Sequence, residues 1–230
     1  MRFQQLTFTD IIHHHSHDFD WSENQILKHH LDNLDPQTDD QFIYLWGTNG
    51  SGKTHVLQTI ASHYAAEKPS IYLPLEMADA IEPNCLDNLE EQKVVCLDDI
   101  HFIKQQKAWE EAIFHLYNRI RQTKQTLLVI SGDLPPAQIG LQLPDLTSRL
   151  QWGLCWHLKE PSDDQKIEIL MTAASKKGFE LPIAVAQYLL SRSERKLVSL
   201  IQVIEQLDVY SIEAQRRIIT IPFLKKCLNI

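Results

Sequence analysis

The run Gly47-Thr48-Asn49-Gly50-Ser51-Gly52-Lys53-Thr54 fits G-x-x-x-x-G-K-[ST] at every fixed position. Glycines at these spacings let the backbone wrap closely, so that successive N–H groups and the start of a following helix point at phosphate oxygens. In that chemistry a lysine such as Lys53 reaches the β- and γ-phosphates of a nucleotide, and a hydroxyl such as that of Thr54 ligates Mg²⁺. His55 follows directly and closes the nucleotide-binding segment. A second constellation, Val94-Val95-Cys96-Leu97-Asp98-Asp99, is an apolar run ending in two carboxylates. Asp98 suits Mg²⁺ held mostly through water, because that ion sheds its hydration shell reluctantly. Asp99 is placed to orient or deprotonate an attacking water.

These groups need strands and helices to bring them together. Apolar runs at Phe42–Trp46, Ile71–Leu75, Val94–Leu97, Leu127–Ser131 and Leu154–Leu158 read as strands. Helical patterns lie between them at His55–Ala66, Ala108–Arg121 and, as a single turn, Leu146–Leu150. Strands of this kind separated by helices predict an α/β fold with a five-stranded parallel sheet covered on both faces. Ligands in such sheets bind beyond the carboxyl ends of the strands, which is where Asp98 and Asp99 would meet the phosphate loop. After Pro161 the pattern becomes helical, which predicts a small all-α domain. Its first helix has Ser162 as N-cap, Asp163 and Asp164 in the first turn, and Gly178 as stop, so charge placement suits the macrodipole. The expected organisation is an N-terminal segment over residues 1–20, an α/β domain over 21–160 and a helical domain over 161–230.

Composition narrows the function classes. The 230 residues carry a formal charge of −8, with no block of lysines or arginines. That disfavours an extensive or sequence-specific footprint on duplex DNA. No apolar stretch is long enough to span a bilayer, and no basic-then-apolar leader opens the chain, so a cytoplasmic location and no membrane partner are expected. The four cysteines are far apart. Cys96 and Cys155 lie in strand-like runs and are expected to be buried as small hydrophobes. Clustered histidines at His13, His14, His15 and His17 can bind metal, although imidazoles in an irregular segment are ordinarily solvated.

A nucleotide-binding α/β domain followed by a small helical lid resembles the AAA+ ATPases. Leu97-Asp98-Asp99-Ile100-His101-Phe102 is similar to the Walker B segment of their DnaA-like clade. Ile130-Ser131-Gly132-Asp133 falls where that clade places sensor 1, which implicates Asp133 in nucleotide binding. Leu146-Thr147-Ser148-Arg149-Leu150-Gln151-Trp152-Gly153 resembles its S-R-[FL]-x-W-G segment, which makes Arg149 the implied arginine finger. Leu150 and Trp152 would anchor that segment while the guanidinium projects outward. Further strings, among them Trp109-Glu110-x-Ala112-Ile113-Phe114, Leu143-Pro144-Asp145-Leu146 and Gly178-Phe179-Glu180-Leu181-Pro182, look like the Hda family of stand-alone DnaA-like proteins.

That resemblance implies a bacterial, cytoplasmic regulator of replication initiation. It would be ADP-bound, dock on the DNA polymerase III β sliding clamp, and stimulate ATP hydrolysis by DnaA through Arg149 in trans. Clamp docking in the family uses a short peptide of the type Q-L-x-L-P-L. Gln5, Leu6 and Phe8 match it in part, while Thr9 and Asp10 depart from it. In an extended segment Leu6 and Phe8 point to the same side and can enter one apolar cleft. A second departure is Val198, which stands where the family carries the sensor 2 arginine; Arg195 lies one helical turn earlier. Loss of that cation implies a weaker preference for triphosphate and a diphosphate-bound resting state. Two alternatives stay open: an autonomous ATPase that forms a homo-oligomer, with Asp99 as base, and a helicase loader.

Overall fold

The computed structural model describes residues 24–32, 41–65 and 69–228. Gln5, Leu6, Phe8 and the His13–His17 cluster lie outside the described residues. The chain divides into two compact units, residues 1–159 and 160–230.

In the first unit five parallel strands form one sheet: β1 (Phe42–Trp46), β2 (Ser70–Pro74), β3 (Val94–Asp98), β4 (Leu127–Gly132) and β5 (Leu154–His157). Their spatial order is β2-β3-β4-β1-β5. Helices α1 (Gln25–Asp32), α2 (Lys53–Ala65), α3 (Lys107–Thr123) and α4 (Pro144–Trp152) accompany them. Alternation along the strands sorts the core into two faces. Ile43, Leu45, Val94, Cys96 and Val129 pack with Val56, Leu57 and Ile60 of α2 and Leu27 of α1. Phe42, Tyr44, Val95, Leu97, Leu128 and Ile130 pack with Ile113, Leu116 and Ile120 of α3 and Leu146 and Leu150 of α4.

Three expectations need correction. The segment around Leu146 forms a nine-residue helix rather than one turn. Pro144 opens it at the N-terminal position that suits proline. The buried Glu110 carboxylate accepts the N–H groups of Gln142 (3.1 Å) and Leu143 (2.7 Å) just before that helix. Cys155 is exposed, not buried. Strand β5 is the sheet edge, so its residues alternate between half-buried and exposed rather than forming a fully covered run. Trp152 is also no anchor, being 63% exposed.

The second unit contains α5 (Asp163–Lys176), α6 (Ile183–Arg192), α7 (Leu197–Glu213) and α8 (Ile221–Leu228) around one apolar core. Ser162 caps α5 in a full capping box with Gln165, and Gly178 follows its end at φ 87°. Ile218 makes an isolated parallel bridge with Glu180. Lys166 is buried and joins Glu160 (2.7 Å) to the Arg195 carbonyl (2.9 Å), which fixes the segment entering α7. Among the described residues no helix is long and apolar enough to cross a membrane.

Candidate functional site

The loop between β1 and α2 runs through conformations that side chains resist. Gly50 and Gly52 both adopt φ 93°, the left-handed region that glycine enters without strain. A Cβ on Gly47 would lie 2.6 Å from the Leu158 carbonyl oxygen, so only glycine allows β1 to turn there. The loop delivers Lys53 and Thr54 to the first turn of α2. Lys53 Nζ donates to the carbonyls of Gly47 (3.1 Å) and Thr48 (3.4 Å) and lies 3.7 Å from Asp99 Oδ1. The Ser51 hydroxyl is buried without a hydrogen-bond partner.

Asp98 ends β3 and receives three hydroxyls. Thr54 Oγ1 and Tyr72 Oη each donate to its Oδ2 at 2.7 Å, and Ser131 Oγ donates to its Oδ1 at 2.5 Å. Ser131 also accepts the Asp99 N–H at 2.7 Å, so one hydroxyl ties the two aspartates together. Burial, then the adjacent Asp98 charge, pushes the Tyr72 phenol up, which keeps it a donor.

Asp99 sits at φ 57°, an uncommon left-handed conformation that aspartate tolerates better than most residues. Burial first, and then the Asp98 charge, raises its carboxyl above the ordinary aspartate range; Asp133 adds to the rise, while Lys53 and His101 oppose it. His101 Nδ1 lies 3.7 Å from both Asp99 Oδ1 and Asp133 Oδ1. The loop, Asp98, Asp99 and Asp133 therefore converge at the carboxyl ends of β1, β3 and β4. Such a cluster can hold phosphate oxygens on Lys53 and backbone N–H groups. Thr54 and Asp98 are the side chains that would hold a divalent cation there. Among the described residues no group of three or more His, Cys, Asp or Glu side chains is arranged to hold a metal by itself. A cation here would draw most of its ligands from phosphate and water, as Mg²⁺ does.

Arg149 lies elsewhere. Together with Leu150 and Gly153 it borders a small cleft against Phe42, Leu128 and Tyr117. Phe42 begins β1 and stacks on Tyr117 at 3.8 Å. Strand β1 covers about 13 Å from that residue to Trp46, at ~3.3 Å per residue, so Arg149 is at the end of the sheet away from its own phosphate loop. Its guanidinium lies 4.4 Å from the Trp152 ring and 5.9 Å from the Tyr117 ring. Its Nη1 is buried with no hydrogen-bond partner. Arg195 belongs to the second unit, where it pairs with Asp163 at 3.2 Å, and Val198 is 56% exposed.

Nothing local in the sequence marks Tyr72, Glu110 or the role of His101. Tyr72 sits in an apolar strand run, where nothing local marks it as a partner of Asp98. Ser131 was the one polar residue in an otherwise apolar strand, a signal that was available.

Comparison with known proteins identifies the fold and the family. An uncharacterised Haemophilus influenzae protein is 41% identical over 214 residues, covering 91% of each chain. Domain III of the Thermotoga maritima replication initiation protein DnaA superposes with a TM-score of 0.75 at 20% identity, covering 97% of this chain and 95% of that one. AMPPCP-bound DnaA from Aquifex aeolicus gives a TM-score of 0.64 at 21% identity, over 84% of this chain and 63% of that one. These structural matches establish the AAA+ fold, with its parallel sheet and helical lid. The family model of the bacterial DnaA ATPase domain matches residues 6–157, and that of the Hda lid domain matches residues 163–228. The chain accordingly belongs to the bacterial DnaA ATPase-domain family and is an Hda-like, replication-initiation-related AAA+ protein.

Proposed function

We propose that this protein is a nucleotide-bound negative regulator of replication initiation. It binds an adenine nucleotide, with ADP as the resting ligand, through Gly47 to His55, with Lys53 on the β-phosphate. Thr54 and Asp98, whose side chains meet at 2.7 Å, would hold Mg²⁺ beside the phosphates. The buried Ser51 hydroxyl and Asp99 Oδ1, neither of which has a hydrogen-bond partner, suit a polar ligand there. Bound Mg²⁺ would neutralise phosphate charge. Asp99 orients water, and Asp133 completes the polar wall. Arg195 is paired within its own unit and Val198 supplies no charge, which favours diphosphate over triphosphate.

The regulatory part of the reading rests on one observation: Arg149 stands at the opposite end of β1 from its own phosphate loop, with a buried, unpaired Nη1. A guanidinium so placed serves a phosphate on another molecule. We assign it as an arginine finger acting in trans on the ATP of a DnaA protomer, in a complex assembled on the DNA-loaded sliding clamp through Gln5, Leu6 and Phe8. Stabilisation of transferring phosphoryl charge by such an arginine is worth about 10³–10⁵ in rate. The protein is thus an activator of DnaA hydrolysis more than an ATPase in its own right.

A reconstituted assay with DnaA-ATP, clamp and DNA tests this. Arg149→Ala should bind clamp and ADP as the wild type does, yet lower stimulated hydrolysis by about 10³ or more, and Arg149→Lys should recover little because it lacks the planar fork. Leu6→Ala with Phe8→Ala should weaken clamp docking by roughly tenfold per side chain. Full stimulation by Arg149→Ala would refute the finger; clamp binding unchanged in the double variant would refute the peptide.

A further inference from the structure

Asp99 Oδ1, His101 Nδ1 and Asp133 Oδ1 are all buried, and none has a hydrogen-bond partner. They face one another, with the imidazole nitrogen 3.7 Å from each carboxylate oxygen. That spacing is just beyond a hydrogen bond and is closed by a small side-chain rotation or one bridging water. Three neighbouring buried polar atoms without a hydrogen bond are uncommon in folded proteins. The trio also lies beside the phosphate site, since Asp99 Oδ1 is 3.7 Å from Lys53 Nζ.

The charges explain what the imidazole does. Asp98, Asp99 and Asp133 bring three carboxylates to a pocket whose ligand is itself anionic. Lys53 is the one cation on the loop, and a bound nucleotide draws it from Asp99 toward phosphate. His101 is then the only basic side chain within 4 Å of either Asp99 or Asp133 among the described residues. An Nδ1–H donates to a carboxylate whether the ring is neutral or charged. Its ring stacks on Phe102 at 4.6 Å.

We propose that His101 is a positioning residue that bridges Asp99 to Asp133 and sets how well the pocket accepts a γ-phosphate. This deepens the nucleotide-site reading above and rests on it. The β-phosphate is held by the loop N–H groups and Lys53, which touches the trio only through Asp99, so a diphosphate depends on His101 far less than a triphosphate does. The γ-phosphate approaches the two carboxylates, so a triphosphate requires that their charge be held and offset. With no lid arginine at the Val198 position, His101 becomes the side chain that separates ATP from ADP.

Calorimetric titration with Mg-ATP and Mg-ADP of wild type, His101→Phe and His101→Asn tests the proposal. Phenylalanine keeps the stack on Phe102 and removes the donor; asparagine returns an N–H near the Nδ1 position. His101→Phe should weaken ATP binding by about tenfold, which is about 1.4 kcal/mol, and ADP binding by less than twofold, with Asn restoring most of the ATP affinity. Asp133→Asn should restore ATP binding to the phenylalanine variant, because the carboxylate that His101 offsets is then gone. If His101→Phe fails to fold, Asp133→Asn alone must strengthen ATP binding relative to ADP. Equal loss of both nucleotides, no loss of ATP binding, or failure of both Asn substitutions to act would overturn the role of His101. A wild type that binds neither nucleotide would overturn the phosphate-loop reading and this one with it.

Discussion

The two ends of the sheet treat their cations in opposite ways. At the carboxyl end, Lys53 rests on two loop carbonyls and faces Asp99, and Asp98 accepts three hydroxyls. At the other end, Arg149 has only aromatic rings beneath it, and Trp152 also carries Arg121 at 5.5 Å. One end is nearly complete within a single chain and needs only a small ligand. The other leaves a guanidinium nitrogen unsatisfied and a tryptophan 63% exposed. An unsatisfied buried donor costs about 1–3 kcal/mol, which is the observation the proposed in-trans role of Arg149 rests on.

Three substitutions break or sharpen this contrast. Lys53→Ala should have the largest effect, lowering ADP and ATP affinity by more than about 100-fold, because a charge-assisted contact to phosphate has no substitute in the loop. Calorimetry reads it, and a near-wild-type ADP affinity would end the assignment of that end of the sheet. Trp152→Ala removes the ring under Arg149 while leaving the phosphate loop untouched. An exposed cation–π contact is worth about 0.5–1 kcal/mol, so stimulation of DnaA hydrolysis should fall roughly two- to fivefold with ADP affinity unchanged. A parallel loss of ADP affinity would show that the two ends are not independent.

The smallest effect concerns the crowding of Asp99. Its carboxyl is raised in the folded protein, so ionising it costs stability above that folded value. The cost shrinks as pH falls through the folded value and vanishes below the ordinary aspartate value of about 3.9. Asp99→Asn should therefore raise the melting temperature of the nucleotide-free protein slightly at neutral pH and leave it unchanged near pH 3. Asparagine accepts the φ of 57° as readily as aspartate, which keeps the backbone out of the comparison. A neutral-pH loss of stability would mean that the Lys53 and His101 contacts outweigh the burial.

Local chemistry was legible from the residues alone. The glycines, Lys53 and Thr54 of the phosphate loop, the alternation of five strands with helices, the Ser162 cap and the Gly178 stop all follow from neighbours within a turn or two. A proline at 144 in principle also announced the start of α4, but the short apolar pattern after it suggested one turn only. Register was not legible. Leu97 pairs with Ile130, so the next residues, Asp98 and Ser131, meet across 33 positions; Tyr72 pairs with Cys96, two residues and one pleat from Asp98. Strand pairing of this kind depends on the whole sheet, so no window of sequence specifies which hydroxyls reach an acid. The same holds for His101 between Asp99 and Asp133, and for Arg149, whose role was implied only by the resemblance of its segment, while packing against the start of β1 placed it at the end of the sheet away from its own loop.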